Sequence, residues 1–187
     1  MIEVSAETIE RVEALLAGVP KGAERALSNA MNRGLSKMKT GAAKKVREVY
    51  AVQSSAINEA TNTRIQKAST GNLAGYIHFS GYKIPLYKFK VTPKAPGVKK
   101  QVTAAVKKGG GTAFENAFIA QMKDSGHIGV FERETSKRFP IEEKMGLAMA
   151  QMVGNLNVMT ELEKEAQKTV DERIVHEIDR LLNGYGG

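Results

Sequence analysis

The stretch that decides the fold covers residues 21–50 and has the sequence KGAERALSNAMNRGLSKMKTGAAKKVREVY. Its apolar residues recur every three or four positions, which is the spacing of one face of an α-helix. They are Ala23, Leu27, Ala30, Met31, Leu35, Met38, Ala42, Val46, Val49 and Tyr50. The opposite face carries Arg25, Arg33, Lys37, Lys44 and Arg47. We therefore predict a long helix with one apolar face and one basic face.

Helical periodicity recurs at both ends of the chain. Residues 157–183 form a second long helix in our prediction, because apolar residues recur there in steps of three or four and Gly184 provides a stop signal. Residues 5–17 predict a short helix. Residues 142–152 predict another, whose methionines we expect to fill a core or an interface.

Between the long helices, the pattern changes to that of β-strands. We predict strands at residues 63–68, 73–79, 84–91, 98–106, 113–122 and 128–133, and an extended segment at residues 138–141. This order favours the α+β class, with an antiparallel β-sheet packed with long N-terminal and C-terminal amphipathic helices. We expect one domain over residues 1–187, made of a short N-terminal helix (1–20), a basic helix region (21–60), an antiparallel sheet (61–135) and C-terminal helices (138–184).

The charge is unevenly distributed along the 187 residues. The chain has 28 Lys and Arg against 20 Asp and Glu, a formal net charge of +8. Residues 21–110 alone carry 18 bases and three acids, whereas residues 1–20 and 111–187 are each net acidic. Two interpretations stay open. The acidic ends of the chain complement the basic middle within or between subunits, or the basic middle contacts a polyanion such as DNA.

Several classes of protein do not fit this composition. The chain has no Cys, which excludes disulfides, Cys-ligated zinc and a Cys nucleophile. No apolar run approaches the ~20 residues that a membrane-spanning helix needs. The N-terminal segment is acidic, so we expect no signal peptide.

The sequence shows no convincing catalytic constellation. His78, His127 and His176 lie about fifty residues apart, without the spacing of metal ligands. The turn at residues 107–112 (KKGGGT) has its bases before the glycines, which is the reverse of a phosphate-binding loop. We expect no catalytic, cofactor-binding or metal-binding residues, and no enzyme. The remaining alternative is a hydrolase that uses His127 with a nearby carboxylate such as Glu132.

The candidate binding residues are basic. We expect the polar face of the 21–50 helix and the ends of the 98–106 strand to face DNA or a partner. The residues are Arg33, Lys37, Lys44, Arg47, Lys99, Lys100, Lys107 and Lys108. Because no sequence-reading module is evident, any nucleic-acid contact is expected to involve phosphates and to be independent of base sequence.

Six segments of the chain, taken together and in order, carry a resemblance to a known family. They are residues 26–52 (ALSNAMNRGLSKMKTGAAKKVREVYAV), 81–89 (GYKIPLYKF), 117–131 (AFIAQMKDSGHIGVF), 138–141 (RFPI), 151–153 (QMV) and 173–184 (RIVHEIDRLLNG). In this combination the chain resembles the prophage minor tail protein Z family of long-tailed bacteriophages. One departure is residues 146–148 (GLA), where a Gly-Pro-Ser-like turn is expected.

The resemblance implies a structural role in the virion. Members of the family are tail-completion proteins that act late in tail assembly, near the end that joins the head, and help to position the genome end. A homo-oligomeric ring around the DNA channel is expected at that place, and the location on the tail axis implies six subunits. The implied neighbours are tail and neck proteins such as the tail terminator and the head–tail connector, with genomic DNA in the channel.

The resemblance also implies where the protein is found. We expect it at the head-proximal end of the virion tail, assembled in the host cytoplasm, without a membrane, cofactor or small-molecule partner. The alternative from the charge alone is a sequence-independent nucleic-acid-binding module of the nucleoid type. A salt titration of DNA binding addresses that alternative, because phosphate contacts weaken steeply with salt.

Overall fold

A computed structural model of the chain describes residues 3–184. It contains five helices in this range, α1 (Ala6–Leu15), α2 (Gly22–Val49), α3 (Ser54–Ala60), α4 (Met149–Val153) and α5 (Leu156–Leu182). The predicted helices at residues 5–17, 21–50 and 157–183 are confirmed as α1, α2 and α5. Gly184 has a φ of 75° just beyond α5, which is the left-handed conformation expected of a helix stop.

Ten short strands lie between α3 and α4. They are β1 (Thr61–Gln66), β2 (Tyr76–Gly81), β3 (Lys83–Pro85), β4 (Lys90–Thr92), β5 (Val102–Ala105), β6 (Thr112–Phe114), β7 (Ala117–Gln121), β8 (Ile128–Arg133), β9 (Ile141–Glu143) and β10 (Met145–Ala148). They form four small sheets, β1–β2, β3–β10, β4–β5–β6 and β7–β8–β9. The α+β class with long terminal helices is confirmed, but several small antiparallel sheets replace the single sheet that we expected.

The chain gathers into two compact units. The first unit is made of the residues up to Ala42, Thr63–His78 and the residues from Leu156 on. The second unit is made of Ala43–Asn62 and Phe79–Asn155. The boundary therefore falls within α2 and within the β1–β2 hairpin. The expectation of a single domain over residues 1–187 stays a prediction.

The core of the first unit forms where α1, α2 and α5 pack together. The buried side chains are Val12, Leu16, Ala26, Leu27, Ala30, Val170, Ile174 and Leu181. Small residues recur on α2 in this core, since Ala26 and Ala30 are both fully buried. The predicted apolar faces of α2 and α5 are thus the faces that pack, and their basic and acidic faces remain outside the core.

The predicted strand at residues 84–91 is interrupted by a single 3-10 turn, Leu86–Lys88. Ile84, Leu86, Phe89 and Val91 are all buried, at 3% exposure or less. A continuous strand turns alternate residues to one face, so it cannot bury both Leu86 and Phe89 on the same side. Pro85 precedes the turn and has no N–H for a β-ladder, and the chain resumes pairing as β4.

Residues 142–152 were predicted as one helix, and this prediction is wrong for residues 142–148. The backbone there is used in sheets, because Lys144 N donates to Val130 O at 2.8 Å and Leu86 N donates to Lys144 O at 2.9 Å. Only Met149–Val153 is helical, as α4. Residues 146–148 belong to β10 and form no turn of their own. Met149 and Met152 fill the core of the second unit as expected, whereas Met145 is half-exposed.

Other strand predictions differ in their limits. The strand predicted at residues 98–106 is only β5, so Lys99 and Lys100 lie in the preceding loop and not on a strand. The strand predicted at residues 113–122 is divided into β6 and β7 by Glu115 and Asn116. The strand predicted at residues 128–133 is confirmed as β8, which lies between β7 and β9 in its sheet.

Candidate functional site

The predicted binding residues are all exposed. Two of them lie in the first unit and six in the second. In chain order they are Arg33 and Lys37, then Lys44, Arg47, Lys99, Lys100, Lys107 and Lys108. Every one of these side chains is therefore accessible to a charged ligand, and the local structure around each one differs.

The turn with Lys107 and Lys108 is fixed to the C-terminal end of α2. Tyr50 pairs with Lys107 in an isolated antiparallel bridge. Lys108 N donates to Val49 O at 2.9 Å, and Ala51 N donates to Val106 O at 2.9 Å. The backbone thus holds this basic turn against the C-terminal end of α2, close in sequence to Arg47. This proximity could not be predicted from the sequence.

Lys99 and Lys100 lie beside a shallow groove of about 510 Å³ in the second unit. Gly97 N donates to Ile119 O at 3.2 Å, which attaches the loop to β7. Arg133 also lines this groove, with its guanidinium 4.8 Å from the centre of the Phe118 ring. The groove therefore contains one base, Arg133, that is not among the candidates predicted from the sequence.

Lys37 has an acidic neighbour. Its Nζ lies 3.9 Å from Glu165 Oε2 of α5, and both side chains are more than a third exposed. An exposed pair of this kind contributes about 0–1 kcal/mol. The contact nevertheless shows that the acidic C-terminal helix meets the basic helix α2 within the first unit, as one of the two charge interpretations expects.

A second basic groove contains only one residue, Arg33, that the sequence pointed to. It lies in the first unit, has a volume of about 340 Å³ and contains Arg33 and Lys67 together with Arg173 and Arg180 of α5. The net acidic character of residues 111–187 hid these two arginines. Their spacing from Glu177, four residues before it and three residues after it, is the signal that places them around one carboxylate.

Glu177 is the central carboxylate of this groove and is only 1% exposed. Arg173 Nη2 lies 2.7 Å from its Oε1. Arg180 donates from Nε and Nη2 to its Oε2, at 3.0 and 2.7 Å, and Asn29 Nδ2 donates to the same oxygen at 3.1 Å. Both carboxylate oxygens are therefore bonded to groups that favour the charged form.

The pKa of Glu177 is lowered from its ordinary value. Burial acts against this shift and is the largest single effect, but the hydrogen bonds from Asn29 and Arg180 and the charges of Arg173 and Arg180 together outweigh it. The carboxylate therefore stays ionised at neutral pH and holds the two guanidinium groups in place.

The histidines do not form a common site. His78 is exposed on β2 and His176 is exposed on α5. His127 is half-exposed, and its Nε2 lies 2.8 Å from Glu143 Oε1. The Ser125 hydroxyl accepts a hydrogen bond from the backbone N–H of His127. Each histidine thus has a separate local environment.

The prediction that Glu132 is the carboxylate beside His127 is wrong. Glu132 pairs with Lys144, and this contact raises the pKa of the Lys144 amine, chiefly through the hydrogen bond. Glu143 is the residue that contacts His127. It lies on β9, which pairs with β8, the strand that begins directly after His127. Sequence distance favours Glu132, which is nearer to His127 along the chain, and only the strand pairing identifies Glu143.

No cluster of three or more His, Asp or Glu side chains suited to hold a metal ion is found within residues 3–184. None of the helices described there has the length and apolar character needed to cross a membrane.

Comparison with known proteins identifies the family. A model of the prophage minor tail protein Z (GPZ) family matches residues 8–185, which is nearly the whole chain. Neither the curated proteins nor the solved structures gave a match. The family match covers all six segments on which the resemblance rested. The chain therefore belongs to the prophage minor tail protein Z family, and it is a structural protein of the bacteriophage tail and not an enzyme.

Proposed function

We propose that this protein completes the phage tail at its head-proximal end, where it helps to join the tail to the head and to position the genome end. The observation that carries the proposal is the family match over residues 8–185. A tail protein must assemble with other tail components, and at this end the neighbours are the tail terminator and the head–tail connector. Genomic DNA in the channel is a further contact.

We propose that the subunits form a closed ring around the DNA channel. Head-to-tail contacts between identical subunits give closed rings when the rotation closes, and a position on the tail axis favours six subunits. The exposed acidic residues Glu7, Glu10 and Glu13 on α1 and the exposed bases on α2 supply opposite charges for such contacts. Both charge interpretations then hold, because some bases face a neighbouring subunit and others face DNA.

The ring and the assembly role can be tested separately. Light scattering and negative-stain imaging of the pure protein measure whether it forms a ring. In a second experiment, tails from a phage that lacks the protein are mixed with the purified protein and with filled heads. The yield of infectious particles measures whether the protein restores head–tail joining. We expect a ring and restored infectious particles. A strict monomer that never associates with tails contradicts the proposal.

The alternative, a nucleic-acid-binding module of the nucleoid type, is supported by the exposed bases alone. It predicts that the protein remains on host DNA in the infected cell. The proposed function predicts instead that it is recovered with purified virions. Quantitative mass spectrometry of virions and of the host nucleoid fraction separates the two.

A further inference from the structure

The groove around Glu177 is lined only by polar and charged residues. α2 contributes Asn29, Asn32, Arg33 and Ser36, and α5 contributes the two arginines with Glu177. Four bases therefore share this concavity with one carboxylate. A protein partner of ordinary chemistry would meet apolar atoms at the centre of its interface, and none of the residues that line this groove is apolar. Polar and strongly positive surfaces are typical of nucleic-acid interfaces.

Glu177 holds the arginines in defined positions. Arg173 uses Nη2 for the carboxylate, and Arg180 uses two nitrogens on the other oxygen. The side chains of Arg173 and Arg180 are nevertheless 44% and 37% exposed. Each guanidinium thus presents an ordered, partly exposed edge. Ordered planar donors of this kind suit phosphate oxygens, because less side-chain entropy is lost on binding.

Lys67 is placed at the groove by Asn32. The Asn32 side chain donates from Nδ2 to Ala68 O at 2.9 Å and accepts from Ala68 N through Oδ1 at 2.9 Å. These two hydrogen bonds attach the backbone after Lys67 to α2, although the residues are far apart in sequence. No sequence pattern groups Lys67 with Arg33, and this pair of bonds explains their proximity.

Arg33 and Lys67 are the bases without an acidic partner. Within residues 3–184, no carboxylate lies at ion-pair distance from either of them. Both side chains are exposed, and the nearby Glu177 is already bonded to Asn29, Arg173 and Arg180. Arg33 and Lys67 therefore add two positive charges to the groove that no carboxylate within residues 3–184 pairs with directly.

We propose that this groove binds the phosphodiester backbone of duplex DNA without reading its sequence, with Arg33 and Lys67 as the principal contacts and Glu177 as a positioning residue. The proposal rests on the DNA contact in the proposed function and gives it a location. It adds Lys67, Arg173 and Arg180 to the residues expected from the sequence and assigns Arg33 to DNA and not to a neighbouring subunit.

The test is a salt titration of DNA binding by the full chain. A short fluorescent duplex is titrated with the parent protein, with Arg33→Glu and Lys67→Glu singly and with the double variant. Neither residue contacts Glu177 through a hydrogen bond or ion pair, so these changes remove none of the bonds that Glu177 makes. Lys39→Glu is the matched control, because Lys39 is an exposed base on the same helix outside the groove. Thermal melting checks that all variants fold.

The expected effects follow from counterion release. Each lost phosphate contact makes the negative slope of log K against log salt concentration shallower by about 0.9 and weakens binding roughly eightfold at about 0.1 M salt. We expect each single groove variant to lose one contact, the double variant to lose two, and Lys39→Glu to change far less. Equal losses in Lys39→Glu, or unchanged binding in the double variant, would overturn the proposal.

Two further arms distinguish the possible failures. If polyglutamate displaces the duplex from the groove at equal charge concentration, the site is for acidic protein and the proposal is overturned. If the parent protein binds no DNA even at low salt, the proposal also fails. Tail incorporation of the double variant is measured independently, so that a protein that completes tails without binding DNA leaves the proposed function standing while the groove proposal falls.

Discussion

At the scale of single residues, Glu177 is where the charges of this protein are most tightly coupled. It is buried, it accepts hydrogen bonds from Asn29 and Arg180, and it pairs with Arg173. Burying a carboxylate costs several kcal/mol unless its oxygens are satisfied, and removing one partner of such a group leaves the others without compensation. The half-exposed arginines moderate this effect because water can solvate them.

Replacing this carboxylate is therefore expected to destabilise the chain. We predict that Glu177→Gln lowers the free energy of unfolding by about 1–3 kcal/mol, since hydrogen bonds to a charged group are lost. Urea unfolding near neutral pH measures the change. Glu172→Gln is the control, because Glu172 is exposed and its ion pair with the exposed Lys168 is a weak one, at 3.8 Å between Nζ and Oε1. Equal stability of the two variants contradicts the central position given to Glu177.

The same residue makes stability depend on pH. The pKa of Glu177 is lower in the folded chain than its ordinary value of about 4.3, so the unfolded chain binds the proton more tightly. Its contribution is therefore complete above that ordinary value and is lost as the pH falls through the lower folded pKa. We predict that the stability difference between the parent and Glu177→Gln shrinks below about pH 4. A difference that stays constant from neutral to acidic pH would show that the charge is not its source.

At the scale of elements, the long helices were predictable and the short strands were not. The apolar stripe of α2 repeats for 28 residues, which gives a clear helical period. The segment at residues 84–91 has too few residues to reveal that a 3-10 turn interrupts it. The strand β10 was mistaken for helix because its pairing with β3 depends on residues sixty positions away, which local periodicity does not report.

Gly146 shows how closely these elements pack. A Cβ added at this position of β10 would overlap the ring of Phe89, which is only 2% exposed and cannot move into solvent. We predict that Gly146→Ala destabilises the chain by about 1–3 kcal/mol through overpacking. Thermal unfolding measures the loss. Gly111→Ala is the control, since an added Cβ there meets nothing within 4 Å. A parent-like melting temperature for Gly146→Ala would mean that β10 packs differently.

The candidate groove illustrates what the sequence can and cannot show about a site. Arg33 was predictable because it lies on the basic face of a strongly periodic helix. Arg173 and Arg180 were not predictable, because residues 111–187 carry 13 acids and nine bases and are net acidic. Only the fold brings these two bases together in the groove. Lys67 depended on the Asn32–Ala68 hydrogen bonds, which join distant parts of the chain.

At the scale of the whole molecule, the two units share a continuous helix. The boundary between them falls after Ala42, inside α2. A helix of this kind owes most of its stability to packing, so melting of one unit removes support from the helix that continues into the other. We predict a single unfolding transition in calorimetry, with equal calorimetric and van't Hoff enthalpies. Two separate transitions would contradict the expectation of one domain.

We propose that this family member completes the tail at the end that joins the head. The most direct measurement is electron microscopy of purified tails with the protein carrying a gold label, beside tails made without it. We predict that the gold label lies at the head-proximal end alone. We also predict that tails made without the protein fail to join heads. Label at the opposite end or along the tail tube, or normal joining without the protein, would contradict the proposed function.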